Sequence, residues 1–289
     1  MDTNFFSHIF LPIVLAVIML GMGLSLTFSD FKRVLQYPKG ILIGLFCQLV
    51  LLPSIAFGIA RVSGLPPAMQ VGLVLIASCP GGISSGLLTH LFRGNVALSI
   101  SLTSLNSLIT LLTIPAMVNL GLLLFMGEQQ RVWLPVGRTA FEIFVLTVLP
   151  AMVGVLIRRR YIEWSVWLEK PLRYIMPILL MLAFLGVMFL EEKGNWNSVS
   201  EFVRITPFAL LLNFLGMTCT FVITKLANFE KSIQLTLPIE AGLHNSSLAI
   251  FIASAVLNDP QIAMVGVSYG SITFFSTALF SWIIYKFAK

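Results

Sequence analysis

Nine apolar runs, each long enough to cross a lipid core, follow one another along the 289 residues with only short connections between them. At 1.5 Å per helical residue, about 20 apolar residues cover a hydrocarbon layer of roughly 30 Å. The runs fall near 9–28, 40–60, 68–91, 96–125, 137–157, 172–190, 203–226, 233–257 and 261–285. In lipid every backbone N–H and C=O must find its partner inside the chain, so such runs fold as helices. Composition agrees: 57% of the residues are hydrophobic and 10% charged, with a mean hydropathy of +0.95. A soluble domain carries about 25% charge. The expected fold class is an all-α integral membrane protein with nine transmembrane helices, a single unit over 1–289.

The net charge of +6 invites a nucleic-acid partner, but the basic residues sit at the ends of the apolar runs, as the positive-inside rule requires. With the N-terminus outside, Lys32, Arg33, Lys39, Arg93, Arg158, Arg159, Arg160, Lys170, Arg173, Lys225, Lys231, Lys286 and Lys289 fall on the cytoplasmic side. Arg61, Arg131, Arg138, Lys193 and Arg204 remain outside, together with Glu191, Glu192 and Glu201. The expected setting is the cell's inner membrane, with the C-terminus cytoplasmic. The first run is long and followed by Lys32 and Arg33, which reads as an anchor rather than a cleaved leader. Cys47, Cys79 and Cys219 lie within apolar runs without metal-ligand spacing and read as small buried thiols.

Two runs are interrupted. The third carries Cys79-Pro80-Gly81-Gly82-Ile83-Ser84-Ser85-Gly86, and the eighth carries Pro238-Ile239-Glu240-Ala241-Gly242-Leu243-His244-Asn245. In this topology the third runs inward and the eighth outward, the pattern of an inverted repeat, with halves at about 9–125 and 137–286 and broken helices at about 68–91 and 233–257. Pro80-Gly81-Gly82 and Pro238 with Gly242 supply the breakers, and interruptions at membrane depth survive only where protein or a water-filled cavity covers the freed backbone groups. Glu240 lies in the second one, where an ionised carboxylate costs about 2.5–3.5 kcal/mol even on lenient scales. Bound Na⁺ would neutralise it, since carboxylate, hydroxyl and carbonyl oxygens suit hard cations.

Other polar residues have two readings each. Ser99, Thr103, Asn106 and Thr110 share one helical face, and either bond back to the carbonyl four residues before or face a site. Gln48 is helix glue or a ligand, and Asn213 carries a weaker signal of the same kind. His244, one turn from Glu240, can donate to a substrate, ligate a cation through a neutral nitrogen, or carry a proton. Glu142, one turn beyond Arg138, reads as half of an interfacial pair, and His90 as interfacial.

Four motifs together resemble the bile acid:sodium symporter family across nearly the whole chain. They are Gly21-Met22-Gly23-Leu24 with Asp30-Phe31-Lys32, Cys79-Pro80-Gly81-Gly82, Arg93-Gly94-Asn95-Val96-Ala97-Leu98-Ser99, and Glu240-Ala241-Gly242-Leu243-His244-Asn245-Ser246. The resemblance implies a panel domain and a core domain, the latter holding two crossing discontinuous helices near two sodium sites. One site would use Ser85, Ser99, Thr103 and Glu240. The other would use Gln48, Glu240, the carbonyls of Ala241 and Leu243, and His244. Two departures stand out: the family's Ser-Asn pair is Ser85-Gly86 here, and its Gln is His244. Each sodium site thus loses a side-chain amide. Asn106, one turn beyond Thr103, is the candidate replacement for the first. His244 either keeps sodium or shifts coupling toward protons. The substrate would meet Asn245, Ile83 and Ser84 at the crossing, with His244 and Asn106 nearby.

The implied activity is sodium-coupled symport of an organic anion, bile-acid-like or a small carboxylate, by a monomer in the bilayer. A proton-coupled, sodium-independent or efflux carrier of the same fold is the alternative. An enzyme is disfavoured by the residues themselves. A metal hydrolase needs about three converging ligands, while His8, His90 and His244 fall at an outer terminus, an inner end and the midplane.

Overall fold

The computed structural model describes residues 6–27, 36–127, 134–187 and 197–287, and their regular structure is helical, apart from one isolated β-bridge. The helices are α1 (Leu11–Ser25, entered through a π turn at Phe6–Phe10), α2 (Pro38–Val62), α3 (Pro67–Ser78), α4 (Ile83–Leu91), α5 (Val96–Met126), α6 (Val136–Arg160), α7 (Ile162–Gly186), α8 (Asn197–Leu226), α9 (Lys231–Gly242), α10 (Ser246–Val256) and α11 (Pro260–Phe287). Lys32, Arg33, Arg131, Lys193 and Lys289, counted in the charge asymmetry, lie outside the described residues. So do Asp30, Phe31, Glu191 and Glu192.

Local chemistry sets many of the boundaries. Proline occupies the first turn of α1, α2 and α3, where its missing N–H has no partner to lose. Asn95 caps α5 by accepting from Leu98 N–H at 3.0 Å, and Asn245 caps α10 by accepting from Leu248 N–H at 3.0 Å. Within α2 and α6 the ladder widens to π turns at Cys47–Leu51 and Phe144–Val148, immediately ahead of Pro53 and Pro150. A proline there donates no N–H, and the looser turn accommodates its ring.

Six helices among the described residues, α1, α2, α5, α6, α8 and α11, are long and apolar enough to cross a membrane. Large apolar side chains cover much of the exterior, with Leu42, Leu112 and Phe275 between 65% and 71% exposed, a surface suited to lipid. The chain is a multi-pass membrane protein. The remaining apolar runs correspond to α3–α4, α7 and α9–α10. α7 begins at Ile162, well before the run expected from 172, because its first turns carry charged and aromatic residues that hydropathy excludes.

The helices pack in two groups. α1 lies against α6 and α7, and α1 and α6 touch at their backbones: a Cβ on Gly154 would fall 2.5 Å from Leu20 O and 2.7 Å from Leu24 N. The larger group surrounds α3, which is buried from Ala68 to Ser78 except at Gln70. α2, α5 and α11 pack around α3, and α8 packs on α9 and α11. α10 touches α1, and α5 touches α6, where the groups meet.

The two interrupted helices cross. Gly81 and His244 form an antiparallel β-bridge; Gly82 N–H donates to Leu243 O at 3.2 Å and Asn245 N–H to Pro80 O at 2.9 Å. Each break thereby satisfies backbone groups that the other frees. One expectation is corrected: Pro238 does not break its helix. Its fixed φ is helical, α9 runs through it to Gly242, and the interruption comes at 243–245.

Candidate functional site

Glu240 sits in the last turn of α9, 0% exposed. Its Oε1 accepts from Ser99 Oγ and its Oε2 from Thr103 Oγ1 at 2.7 Å. Ser99 and Thr103 are one turn apart on α5, so a single helix face delivers both hydroxyls to one carboxylate. The backbone carbonyl of Glu240 accepts from Gln48 Nε2 at 3.1 Å, and Gln48 Oε1 accepts from Asn106 Nδ2 at 2.6 Å. Among the described residues no lysine, arginine or histidine pairs with Glu240.

A buried ionised carboxylate needs a countercharge, and two neutral hydroxyls do not supply one. The donor set instead consists of oxygens: two from the carboxylate, two hydroxyls that retain lone pairs, and Ser85 Oγ on the first turn of α4, which donates to Gly82 O at 2.8 Å. Such a set fits a hard cation. Among the described residues no three of His, Cys, Asp and Glu converge, so the chemistry differs from that of a zinc-type site.

The remaining residues expected at a second ion have partners of their own. Leu243 O accepts from Gly82 N–H at 3.2 Å. His244 Nε2 lies 3.2 Å from Ala241 O and Nδ1 lies 2.9 Å from Cys79 O. A neutral imidazole has one N–H, yet both ring nitrogens face carbonyls, and these carbonyls terminate α9 and α3. The ring thus bridges the negative ends of both half-helices.

A cavity of about 520 Å³ adjoins the crossing. Met19, Met22 and Met176, from α1 and α7, line it together with Ser84, Asn245 and Thr273. Ser85, Ser99, Thr103 and His244 also reach it, joining the cavity to the carboxylate cluster. No lysine or arginine lines it among the described residues. Asn245 positions the wall as well as lining it, through its cap on α10 and an Nδ2–Met19 Sδ contact of 3.8 Å. Ile83 contributes the first backbone unit of α4, and its side chain lies outside the described residues. Asn106 stands with Gln48 behind Thr103 rather than on the cavity wall.

Of the polar cluster under α9, the sequence marks Asn213 only weakly and leaves Tyr269 and Ser276 unmarked. Asn213 Nδ2 donates to Gly242 O at 2.7 Å, Tyr269 Oη donates to the same oxygen at 3.0 Å, and Ser276 Oγ donates to Asn213 Oδ1 at 2.7 Å. The available signal was the helical spacing of Tyr269, Thr273 and Ser276 on α11. Arg138 and Glu142 form an exposed i,i+4 pair at 2.8 Å, away from the site, and Cys47 and Cys79 are buried free thiols.

Comparison with known proteins gives one consistent assignment. The model of the Sodium Bile acid symporter family matches residues 12–201. The chain is 30% identical over 252 residues to the uncharacterized sodium-dependent transporter YocS of Bacillus subtilis, covering 85% of this chain and 74% of that protein. It is 29% identical over 253 residues to a probable chloroplastic sodium/metabolite cotransporter, BASS2, of Oryza sativa subsp. japonica, covering 86% and 58%. Against the sodium-dependent organic anion transporter of Homo sapiens it is 25% identical over 239 residues, covering 82% and 62%. The chain therefore spans less than two thirds of the length of these plant and human relatives.

Proposed function

The chain belongs to the sodium bile acid symporter family, and from that premise we propose that it imports a small organic anion together with Na⁺ by alternating access. It is a transporter and not an enzyme. The observation that carries the sodium reading is Glu240: a fully buried carboxylate, without a basic partner among the described residues, ringed by oxygens beside a cavity. Na⁺ is cargo here, held by Glu240, Ser99, Thr103 and Ser85. Its arrival neutralises the carboxylate and orders the crossing, so ion and substrate binding favour each other.

The substrate is an anion, bile-acid-like or a small carboxylate. Among the described residues no lysine or arginine lines the cavity, so the anion's charge meets the backbone N–H groups of Ile83 and Ser84 at the N-terminus of α4, with Asn245 as the side-chain partner. In this reading α3–α4, α7 and α9–α10 complete nine crossings of the inner membrane, with the N-terminus outside and the C-terminus cytoplasmic. The halves at about 9–125 and 137–286 form an inverted repeat. The α1–α6–α7 group is the panel, the larger group moves against it, and the monomer is the working unit.

One observation favours a second reading. His244 directs both nitrogens at carbonyls, one of them the Ala241 oxygen that a second ion would need, which supports a cycle with one Na⁺ or with a proton in place of the second. Uptake into proteoliposomes under imposed Na⁺ or H⁺ gradients separates these readings, and the sign of the driven flux separates import from efflux. Glu240→Gln is expected to abolish Na⁺-driven accumulation; normal accumulation by that variant would exclude the assignment.

A further inference from the structure

Asn106 is 1% exposed on α5, one turn beyond Thr103. Its amide orientation is fixed by a chain of hydrogen bonds that ends on a group able only to accept. The backbone carbonyl of Glu240 accepts, so the atom of Gln48 facing it at 3.1 Å is Nε2. Gln48 Oε1 then faces Asn106 and accepts from Nδ2 at 2.6 Å. Asn106 Oδ1 is left over, and among the described residues no donor reaches this buried oxygen. Buried amide oxygens seldom stay without a partner, because desolvation is then uncompensated. Turning the amide over gives no relief: it would set Oδ1 against Gln48 Oε1, two acceptors facing each other.

The surroundings say what kind of partner is wanted. Thr103 and Asn106 are neighbours on one helix face, and Thr103 Oγ1 already serves Glu240 Oε2. Gln48 ties Asn106 to the backbone of the same glutamate. An acceptor without a donor, tied through Gln48 to a buried carboxylate that has no basic partner among the described residues, calls for a positive ion rather than another hydrogen-bond donor. We propose that Asn106 Oδ1 is a Na⁺ ligand, adding an amide oxygen to those of Glu240, Ser99 and Thr103, and that Gln48 is the positioning residue that aims it. The inference rests on the sodium-coupled reading and adds a residue to its ion shell.

Thermal-shift and calorimetric titration of the purified full chain with NaCl, against KCl at matched ionic strength, tests it without transport. A ligand that binds only the folded state raises Tm with its concentration. Asn106→Ala is expected to raise the Na⁺ midpoint roughly tenfold or more, the scale on which lost metal-site partners act. Asn106→Asp keeps an oxygen but has no N–H for Gln48, and is expected to weaken Na⁺ binding clearly less than Asn106→Ala does. If Asn106→Ala does not fold, Asn106→Ser, which retracts the polar group, carries the same expected loss. An unchanged midpoint in the Ala or Ser variant overturns the proposal. So does equal weakening by Ala and Asp, which would assign Asn106 only the task of holding Gln48. Loss of the Na⁺ response in Glu240→Gln but not in Asn106→Ala leaves the carrier reading standing without this ligand; a wild-type protein indifferent to Na⁺ overturns both.

Discussion

Gly81 passes Glu240 so closely that a Cβ on it would lie 2.6 Å from Glu240 Oε2 and 2.8 Å from Thr103 Oγ1. Neither side can easily give way. The carboxylate is held by Ser99 and Thr103, and the Gly81 backbone is held by its bridge to His244. What the position requires is space beside the charge. The crossing of the two half-helices and the burial of the carboxylate are therefore one packing arrangement.

Gly81→Ala should accordingly separate folding from ion binding. Overpacking a well-filled site costs about 1–3 kcal/mol, which the chain is expected to survive with a lowered Tm. The Na⁺-dependent rise in Tm should disappear, because the new methyl group occupies the side of the carboxylate that faces Thr103. Melting curves with and without Na⁺ provide the check, and a full Na⁺ response would mean that the ion sits elsewhere.

Ser99→Ala and Thr103→Val each remove one hydroxyl from the same carboxylate. Hydrogen bonds to charged groups contribute roughly 1.5–3 kcal/mol, so each variant is expected to weaken Na⁺ binding by about tenfold or more. The double variant should fall short of the product of the two effects, since side chains sharing one partner are coupled. Na⁺ titrations of all four proteins close the cycle. Independent effects would indicate that the hydroxyls do not act on a common ion.

The membrane class and the two interruptions were legible because each has a local signature: apolar runs of bilayer length, and proline or glycine beside polar residues within such a run. The hydroxyl pair was legible too, since Ser99 and Thr103 recur at helical spacing. The partnership between the breaks was not. Nothing local says that Gly82 N–H meets Leu243 O, because that contact depends on how helices distant in sequence cross. Pro238 shows the same limit from the other side: proline weakens a helix, but whether the helix ends there depends on what covers the freed carbonyl. The Asn106–Gln48–Glu240 chain links three helices, and only their packing determines which amide atom is left without a partner.

Asn245 has two tasks that different substitutions should separate. Its Oδ1 caps α10 at Leu248 N–H, and its side chain lines the cavity. Asn245→Ala should lose about 0.5–2 kcal/mol, the usual cost of a lost N-cap, together with uptake. Asn245→Asp keeps the cap, and places a negative charge where the anion would bind. It is expected to retain Tm while losing anion uptake. Melting curves alongside uptake assays test both, and an Asp variant with normal anion transport would remove Asn245 from the substrate wall.

The two helix groups also meet at a contact that the proposed alternating-access cycle would have to open. A Cβ on Gly270 of α11 would lie 2.5 Å from Phe184 Cζ of α7 and 2.7 Å from Ser246 Oγ of α10. Phe184 and Ser246 can both close on residue 270 because it has no side chain. Gly270 and Ser246 border the cavity, and Phe184 packs against Gly270 behind that wall. Gly270→Ala should prevent this seating, at an overpacking cost of about 1–3 kcal/mol, and shift the population away from the closed contact. A cysteine at Ser246, in a Cys219→Ser background, should be protected from a membrane-impermeant thiol reagent with Gly270 present and labelled faster with Gly270→Ala. Transport should fall in the same variant, because a contact that cannot re-form interrupts the cycle. Unchanged labelling with unchanged transport would show that the Phe184–Gly270 contact does not open and close during turnover.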